Sequence, residues 1–317
     1  MIEVKVLART SEALDICSFE LAPLDTQPLP AFSAGAHIDV HLSNGVVRQY
    51  SLCNASDERH RYVISVLREP NSRGGSRQLH EQINVGDRLN ISAPRNLFEL
   101  EPNGKKYLLF AGGIGITPIL CMAQQLAREG ADFELHYCSR SESRAAYVDW
   151  LKNSTFANRV HLHFDDGPVQ LKLDANAVMA HPEVGTHLYV CGPGGFMDYV
   201  LDTARSCGWP QTQVHREYFA APIVAHGADE TFEVEIASSG DVYQIPPDKS
   251  VFEVLDAAGV EIPLSCAQGV CGSCVTGVLA GEPDHRDQFL NADERLRNDK
   301  FTPCCSRAKS PRLVLDL

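Results

Sequence analysis

Through the first hundred residues apolar and polar positions alternate in short runs, 2–8, 16–22, 37–42, 46–53 and 62–68. Successive side chains of a strand point to opposite faces, so this rhythm predicts half-buried strands. Ser43, Asn44 and Gly45, and Pro28 and Pro30, separate the runs with turn chemistry. Several short strands at this spacing predict a closed antiparallel barrel or a sandwich. One helix is expected to interrupt it near 76–83.

Beyond residue 104 the rhythm changes. Residues 106–111 form a continuous apolar run, and Ile119, Leu120, Met122, Ala123 and Leu126 recur at helical spacing over 118–129. Strands over 133–138, 160–164 and 187–191 and a helix over 196–205 follow. Strands alternating with helices predict a parallel α/β sheet. Residues 220–230 lack a period and read as a linker. A third unit then starts, with strands over 232–237 and 241–245 and a helix near 251–258. Asn291 to Glu294 has the residues of a capping box opening a helix over 292–298. The expected division is a β-barrel domain over 1–103, an α/β domain over 104–222, a linker over 223–230 and an α+β domain over 231–317.

Composition adds exclusions. The 317 residues are 44% apolar and 22% charged, ordinary for core-forming domains. No apolar run approaches the ~20 residues that span a bilayer. The first residues read as a strand rather than a signal peptide, so a soluble cytoplasmic protein is expected. The net charge of −13 argues against nucleic acid or membrane partners. Residues 227–317 carry 16 acidic against 8 basic side chains, net −8, so the last third is the acidic part. The eleven cysteines are an odd number, which disfavours a disulfide framework. Cys17, Cys53, Cys121, Cys138, Cys191 and Cys207 read as small buried hydrophobes.

Four cysteines differ. Cys266, Cys271 and Cys274 follow C-x4-C-x2-C, and Cys304 lies 29 intervening residues on. This is the plant-type [2Fe–2S] spacing. A loop that wraps two irons must turn backbone N–H groups toward sulfur, and Gly269 and Gly272 supply the backbone angles. Ser265 and Ser273 would tune the potential. A structural zinc site would want a second knuckle, which is absent unless Cys304 and Cys305 act together. Neighbours on a strand face opposite ways, so one of Cys304 and Cys305 closes the cluster, with Cys304 favoured. His285 reads as a solvated or capping residue rather than a ligand.

Gly112, Gly113, Gly115, Thr117 and Pro118 stand between a strand and a helix, where glycines admit a pyrophosphate to a helix N-terminus. Pro118 occupies the place of a third dinucleotide-fingerprint glycine, but proline suits a first helical turn. Cys191, Gly192 and Pro193 leave a second apolar strand in the same way. Two such turns at the carboxyl ends of parallel strands predict one shared crevice. Ser139 and Arg140, with Arg144 near, stand where a classical NAD site has an acidic residue. NADH and NADPH therefore both stay open, NADH slightly favoured.

Arg48, Gln49, Tyr50 and Ser51 end a strand of the β domain: arginine pairs with phosphate, tyrosine lies beside a ring, and serine bonds a ring nitrogen. After Leu67 and Arg68, Arg73, Gly74, Gly75, Ser76 and Arg77 open a helix as a phosphate nest. A flavin is also asked for by electron count, because nicotinamides deliver pairs and a [2Fe–2S] cluster takes one electron. No side chain is assigned as general acid or base.

These motifs, in this order and over essentially the whole chain, resemble the phthalate dioxygenase reductase family, which includes reductase subunits of aromatic O-demethylases and ring oxygenases. The resemblance implies FMN, bound by Arg48, Tyr50 and Ser51 and at its phosphate by Gly74, Gly75, Ser76 and Arg77. It implies a nicotinamide site lined by Gly113, Thr117, Cys191, Gly192 and Pro193, and Phe219, beside Tyr218, against the flavin ring. It also implies a separate Rieske-type oxygenase as electron acceptor. Cys305 departs from the family pattern. The alternatives are a different acceptor (a free ferredoxin or a non-Rieske hydroxylase), a non-enzymatic redox sensor, or a zinc-stabilised interaction module.

Overall fold

Alternation in the first hundred residues becomes seven strands and one helix in the structure, a computed structural model that describes residues 1–43, 45–70, 74–219 and 229–317. Most of the expected linker, Asn44 and Arg73 lie outside the described residues. The strands are β1 (Ile2–Ala13), β2 (Ile16–Pro23), β3 (Ala36–His41), β4 (Val47–Ser51) and β5 (Tyr62–Leu67). Helix α1 (Gly75–Gln82), β6 (Arg88–Ile91) and β7 (Arg95–Asn96) follow. Their order is β4-β3-β6-β1-β2-β5, with β7 on β3, and every pairing is antiparallel. A bridge between Leu52, just past β4, and Ile64 of β5 joins the two ends of that path. The sheet is thus a closed barrel filled by Val4, Phe19, Leu21, Ile38, Leu52, Tyr62 and Ile64.

The second rhythm gives a five-stranded parallel sheet. Its elements are β8 (Lys106–Gly112), α2 (Ile116–Glu129), β9 (Asp132–Ser139), α3 (Val148–Lys152), β10 (Val160–Phe164), α4 (Ala175–Met179), β11 (Thr186–Cys191), α5 (Gly194–Ser206) and β12 (Val214–Glu217). The strand order is β10-β9-β8-β11-β12. The chain winds outward from β8 to β10, then returns to β11 on the other side of β8. The order therefore reverses between β8 and β11, and such a switch point is where open α/β sheets bind ligands.

Barrel and parallel sheet belong to one unit, Met1–Glu217. Ile16, Ala34, Cys53 and Phe98 from the barrel side share one core with Leu109, Ile119, Met122 and Tyr189. Polar contacts cross the same seam: Gln124 Nε2 donates to the Cys53 carbonyl at 2.8 Å, and Leu14 N to the Ser143 carbonyl at 2.8 Å.

The second unit is Tyr218–Leu317. It contains β13 (Phe232–Ile236), β14 (Val242–Ile245), α6 (Val251–Ala257), β15 (Thr276–Ala280), β16 (Pro283–Asp284), α7 (Ala292–Arg297), β17 (Lys300–Phe301), β18 (Arg307–Ala308) and β19 (Arg312–Leu315). The sheet order β14-β13-β19-β15-β17 mixes a parallel β13–β19 pair with antiparallel neighbours. Leu255 of α6 packs in its core with Val234, Phe301 and Leu313. The expected capping box at Asn291 and Glu294 is present, and Ser250 and Glu253 form another at α6.

Candidate functional site

The two glycine loops meet at the switch point. A Cβ on Gly115 would lie 2.2 Å from the Cys191 carbonyl oxygen, and one on Gly192 would lie 2.9 Å from the Gly112 Cα. Only hydrogen fits between these backbones. Gly113 has φ +52°, in the left-handed region that favours glycine. Above the loops, α2 and α5 start without side-chain caps, leaving N–H groups for an anion. Pro118 sits in the first turn of α2, where its missing N–H costs nothing. Thr117 is buried and its hydroxyl donates to the Ile114 carbonyl at 3.1 Å, so it braces the loop. These features fit a dinucleotide pyrophosphate.

At the end of β9, Ser139 is buried and Arg140 is exposed. Their carbonyls accept from Asp165 N and Asp166 N, which brings two acidic residues beside Arg140. Arg144 pairs with Asp15 at 3.9 Å.

In the barrel, Gly74 caps α1 with φ +99° and no side-chain cap bond. Arg48 lies over the next residue: a Cβ on Gly75 would meet Arg48 Cγ at 2.6 Å. The uncapped N-terminus of α1 and the Arg48 guanidinium thus share one cradle, which fits a flavin phosphate. Ser76 Oγ accepts from Glu69 N at 3.2 Å, and Arg77 is exposed. Arg68 is held by Glu81 at 2.7 Å, on the outer side of α1, next to the half-buried Leu67. Tyr50 is half-buried, and desolvation pushes its phenol up, with Arg48 opposing. Gln49 Nε2 is a buried donor without a partner among the described residues.

Sequence reasoning assigned no acid or base, yet the structure supplies a titratable one. Ser51 Oγ donates to Glu217 Oε2 at 3.3 Å. Glu217 ends β12 in register with Cys191 of β11. Burial pushes its carboxyl up to about 8, with the Ser51 bond opposing. Cys191 is fully buried, and burial together with the Glu217 charge keeps its thiol well above the usual range. The sequence offered no signal for it: β12 is four residues of mixed polarity and was not among the expected strands. Phe219 lies in the second unit and is 39% exposed.

The four sulfurs of the second unit converge. The Cys266 thiol faces those of Cys271 and Cys304, and Cys274 faces Cys304. This crowding shares protons unevenly, driving Cys266 and Cys274 down and Cys271 and Cys304 up. Gln268 N donates to Cys266 Sγ at 3.3 Å and Ser273 N to Cys271 Sγ at 3.5 Å, as a thiolate-held cluster needs. Four soft donors with inward N–H groups fit a [2Fe–2S] cluster.

Gly269 and Gly272 have φ +71° and +69°, and both are also pressed: Gly269 by Cys305 Sγ and Asp287, Gly272 by the Phe289 ring. The expectation that Cys304 and Cys305 lie on a strand fails. They occupy a turn in which Cys305 N and Ser306 N both donate to the Thr302 carbonyl. The two sulfurs stay neighbours, but Cys305 Sγ also turns to Thr302 Oγ1, at 3.3 Å, and lies against Gly269, while Cys304 faces Cys266 and Cys274. His285 is not solvated: its side chain is 8% exposed and its Nε2 meets Asn298 Oδ1, on the C-cap of α7, at 3.1 Å.

Comparison with known proteins agrees with this geometry. Residues 234–309 match the model of a 2Fe-2S iron-sulfur cluster binding domain, and 91–214 that of the N-terminal domain of dimethylamine monooxygenase subunit DmmA-like proteins. The chain is 58% identical to a vanillate O-demethylase oxidoreductase of Pseudomonas sp. (strain HR199 / DSM 7063), covering 100% of both chains. A solved phthalate dioxygenase reductase, described as modular for electron transfer from pyridine nucleotides to [2Fe-2S], matches at 42% identity. Its TM-score is 0.78, over 100% of this chain and 98% of that one. An intact type IV self-sufficient cytochrome P450 monooxygenase matches with TM-score 0.86 and 36% identity, over 100% of this chain and 41% of that one. A barrel, a nucleotide sheet and a ferredoxin-like unit in this order, with full-length relatives of this similarity, establish that the chain is an oxidoreductase of the phthalate dioxygenase reductase family.

Proposed function

We propose that the protein carries electrons from NADH to the oxygenase of an aromatic O-demethylase, working in the cytoplasm, where a thiol-rich chain suits a reducing compartment. The observation that carries this reading is the Ser51–Glu217 hydrogen bond. It holds the end of the candidate flavin strand beside the strand ends where the nucleotide loops open. Donor and acceptor of a hydride would thus be held face to face, and positioning of this kind supplies most of the rate.

FMN, bound here, would exchange one two-electron delivery for two single departures. Arg48 and the N-terminus of α1 would hold its phosphate, and Tyr50 would lie along the ring. Ser51 would hydrogen-bond the ring edge, with Glu217 holding a proton behind it. Gly113, Gly115, Gly192 and Pro193 would line the nucleotide, with Thr117 and Pro118 shaping the loop. Asp165 and Asp166 beside Arg140, and the pairing of Arg144 with Asp15, disfavour a 2′-phosphate and so favour NADH over NADPH. Cys266, Cys271, Cys274 and Cys304 would hold the cluster from which electrons leave.

The acceptor we infer is a Rieske-type oxygenase, supported by the greater identity to the vanillate O-demethylase oxidoreductase than to the P450-fused reductase. The acidic third of the chain suits a basic, salt-sensitive docking patch on that partner. The test is anaerobic addition of NADH to the purified protein, then of candidate oxygenases. Bleaching of both flavin and cluster bands, followed by reoxidation on a Rieske protein, supports the reading. Bleaching with reoxidation only by a haem monooxygenase moves the acceptor, and no bleaching overturns the whole scheme.

A further inference from the structure

The face of the parallel sheet turned away from Leu109 and Tyr137 carries a cluster that electron transfer does not use. Glu134 and His136 lie two residues apart on β9 and so share this face. His161 of β10 is in register with His136, and His163 follows two residues on. One ligand atom from each of Glu134, His136 and His161 lies within 4.8 Å of the others. His136 is 4% exposed and sandwiched between Phe110, 5.2 Å from its ring centre, and His161, 4.8 Å away.

The hydrogen bonds fix the protons. The Leu171 carbonyl can only accept, so His163 Nδ1, 2.7 Å away, carries a hydrogen. In the neutral ring this leaves His163 Nε2 a bare acceptor. His136 Nδ1, 3.1 Å from that atom, must then donate. A neutral His136 ring that donates through Nδ1 carries a lone pair on Nε2. That atom is buried without a hydrogen-bond partner among the described residues and lies 3.6 Å from Glu134 Oε2. Lys106 holds the other oxygen of Glu134 at 2.6 Å. Two bare acceptors facing each other, one of them buried, repel unless a cation stands between them.

We propose that Glu134, His136 and His161 form a site for a divalent cation of the zinc class, clamping edge strand β10 to β9. Imidazole and carboxylate are zinc-type donors, and a metal–ligand distance of 2.0–2.2 Å asks for donor atoms about 3.4 Å apart. His136 and Glu134, 3.6 Å apart, are close to that spacing, and His161, exposed and stacked on His136, would turn out of the stack to complete it. The His163 bond to His136 Nδ1 orients the ligand ring, as outer partners of metal-bound histidines do. A fourth position stays open to water.

The test uses the full protein with cluster and flavin loaded, dialysed against chelator and checked for unchanged iron. Zinc chloride is titrated in by calorimetry, and zinc and iron are counted afterwards. The expected result is one saturable zinc per chain with iron retained. His161→Ala and Glu134→Gln should weaken it at least about tenfold, while His181→Ala, an exposed histidine elsewhere, leaves it unchanged. Saturation equal in His161→Ala and the parent, zinc taken up only as iron is lost, or no saturable binding would each overturn the proposal. His161 is exposed, so its replacement tests ligation rather than folding.

Discussion

Ser51 and Glu217, 166 residues apart in the chain, share a hydrogen bond of 3.3 Å that ties the last residue of a barrel strand to the last residue of the nucleotide sheet. Its carboxyl partner is shifted up to about 8, burial being the cause. Between the ordinary value of 4.5 and about 8 the folded protein keeps a proton that the unfolded chain releases. Stability therefore falls as pH rises through this window, and the contribution is fully present only below it. Glu217→Gln cannot ionise and should lack that decline. Urea unfolding of both proteins across the window checks this. A stability difference that stays constant with pH would show that Glu217 does not titrate there.

A methyl group at the switch point should separate the two nucleotide loops. In Gly115→Ala the new Cβ meets the Cys191 backbone, which cannot swing aside as a side chain could. Overpacking of this kind costs about 1–3 kcal/mol, and the KM for NADH should rise with it. Gly194→Ala, at the start of α5 with nothing within 4 Å of the new carbon, is the paired control. With no backbone to push aside, it should at this helical position stabilise by about 0.4–1 kcal/mol. Steady-state kinetics and thermal unfolding of the pair separate a steric wedge from a general intolerance of substitution.

The barrel, the parallel sheet and the cluster loop were legible because each rests on local periodicity or fixed spacing. Hydrophobic alternation over 37–42 and 62–68 located β3 and β5 to within one residue. The glycines at 269 and 272 were legible because left-handed backbone leaves a mark in the sequence. Strand β12, four residues of mixed polarity, has no such mark, since its pairing with β11 is what makes it a strand. Glu217 was hidden for the same reason: its significance comes from Ser51, which only the tertiary fold brings near. The strand expected at Cys304 gave way to a turn because the Thr302 carbonyl captures two successive N–H groups.

Removing the guanidinium that lies over Gly75 should weaken flavin binding without touching the nucleotide loops. Hydrogen bonds to charged groups contribute about 1.5–3 kcal/mol, so Arg48→Ala should raise the flavin dissociation constant roughly tenfold to a hundredfold. Gly75→Ala should do the same more mildly, because the side chain it displaces is flexible. Fluorescence titration of the flavin-free protein with FMN measures both. Equal affinity in Arg48→Ala would place the phosphate elsewhere.

The paired cysteines give the sharpest contrast. Cys304 Sγ faces Cys266 and Cys274, whereas Cys305 Sγ faces Cys304, Thr302 and Ser306 and lies against Gly269. Cys304→Ser should therefore lose most of its iron and the visible cluster bands, and with them reduction of one-electron dyes by NADH. Flavin bleaching by NADH should persist, since the barrel and nucleotide sheet form a separate unit. Cys305→Ser replaces one small polar-facing atom by another beside Thr302 and Ser306, and should keep both iron and dye reduction, with stability within about 1 kcal/mol of the parent's. If instead Cys305→Ser loses the cluster and Cys304→Ser keeps it, the turn must rotate when iron is bound. Iron analysis of the two variants decides between these outcomes.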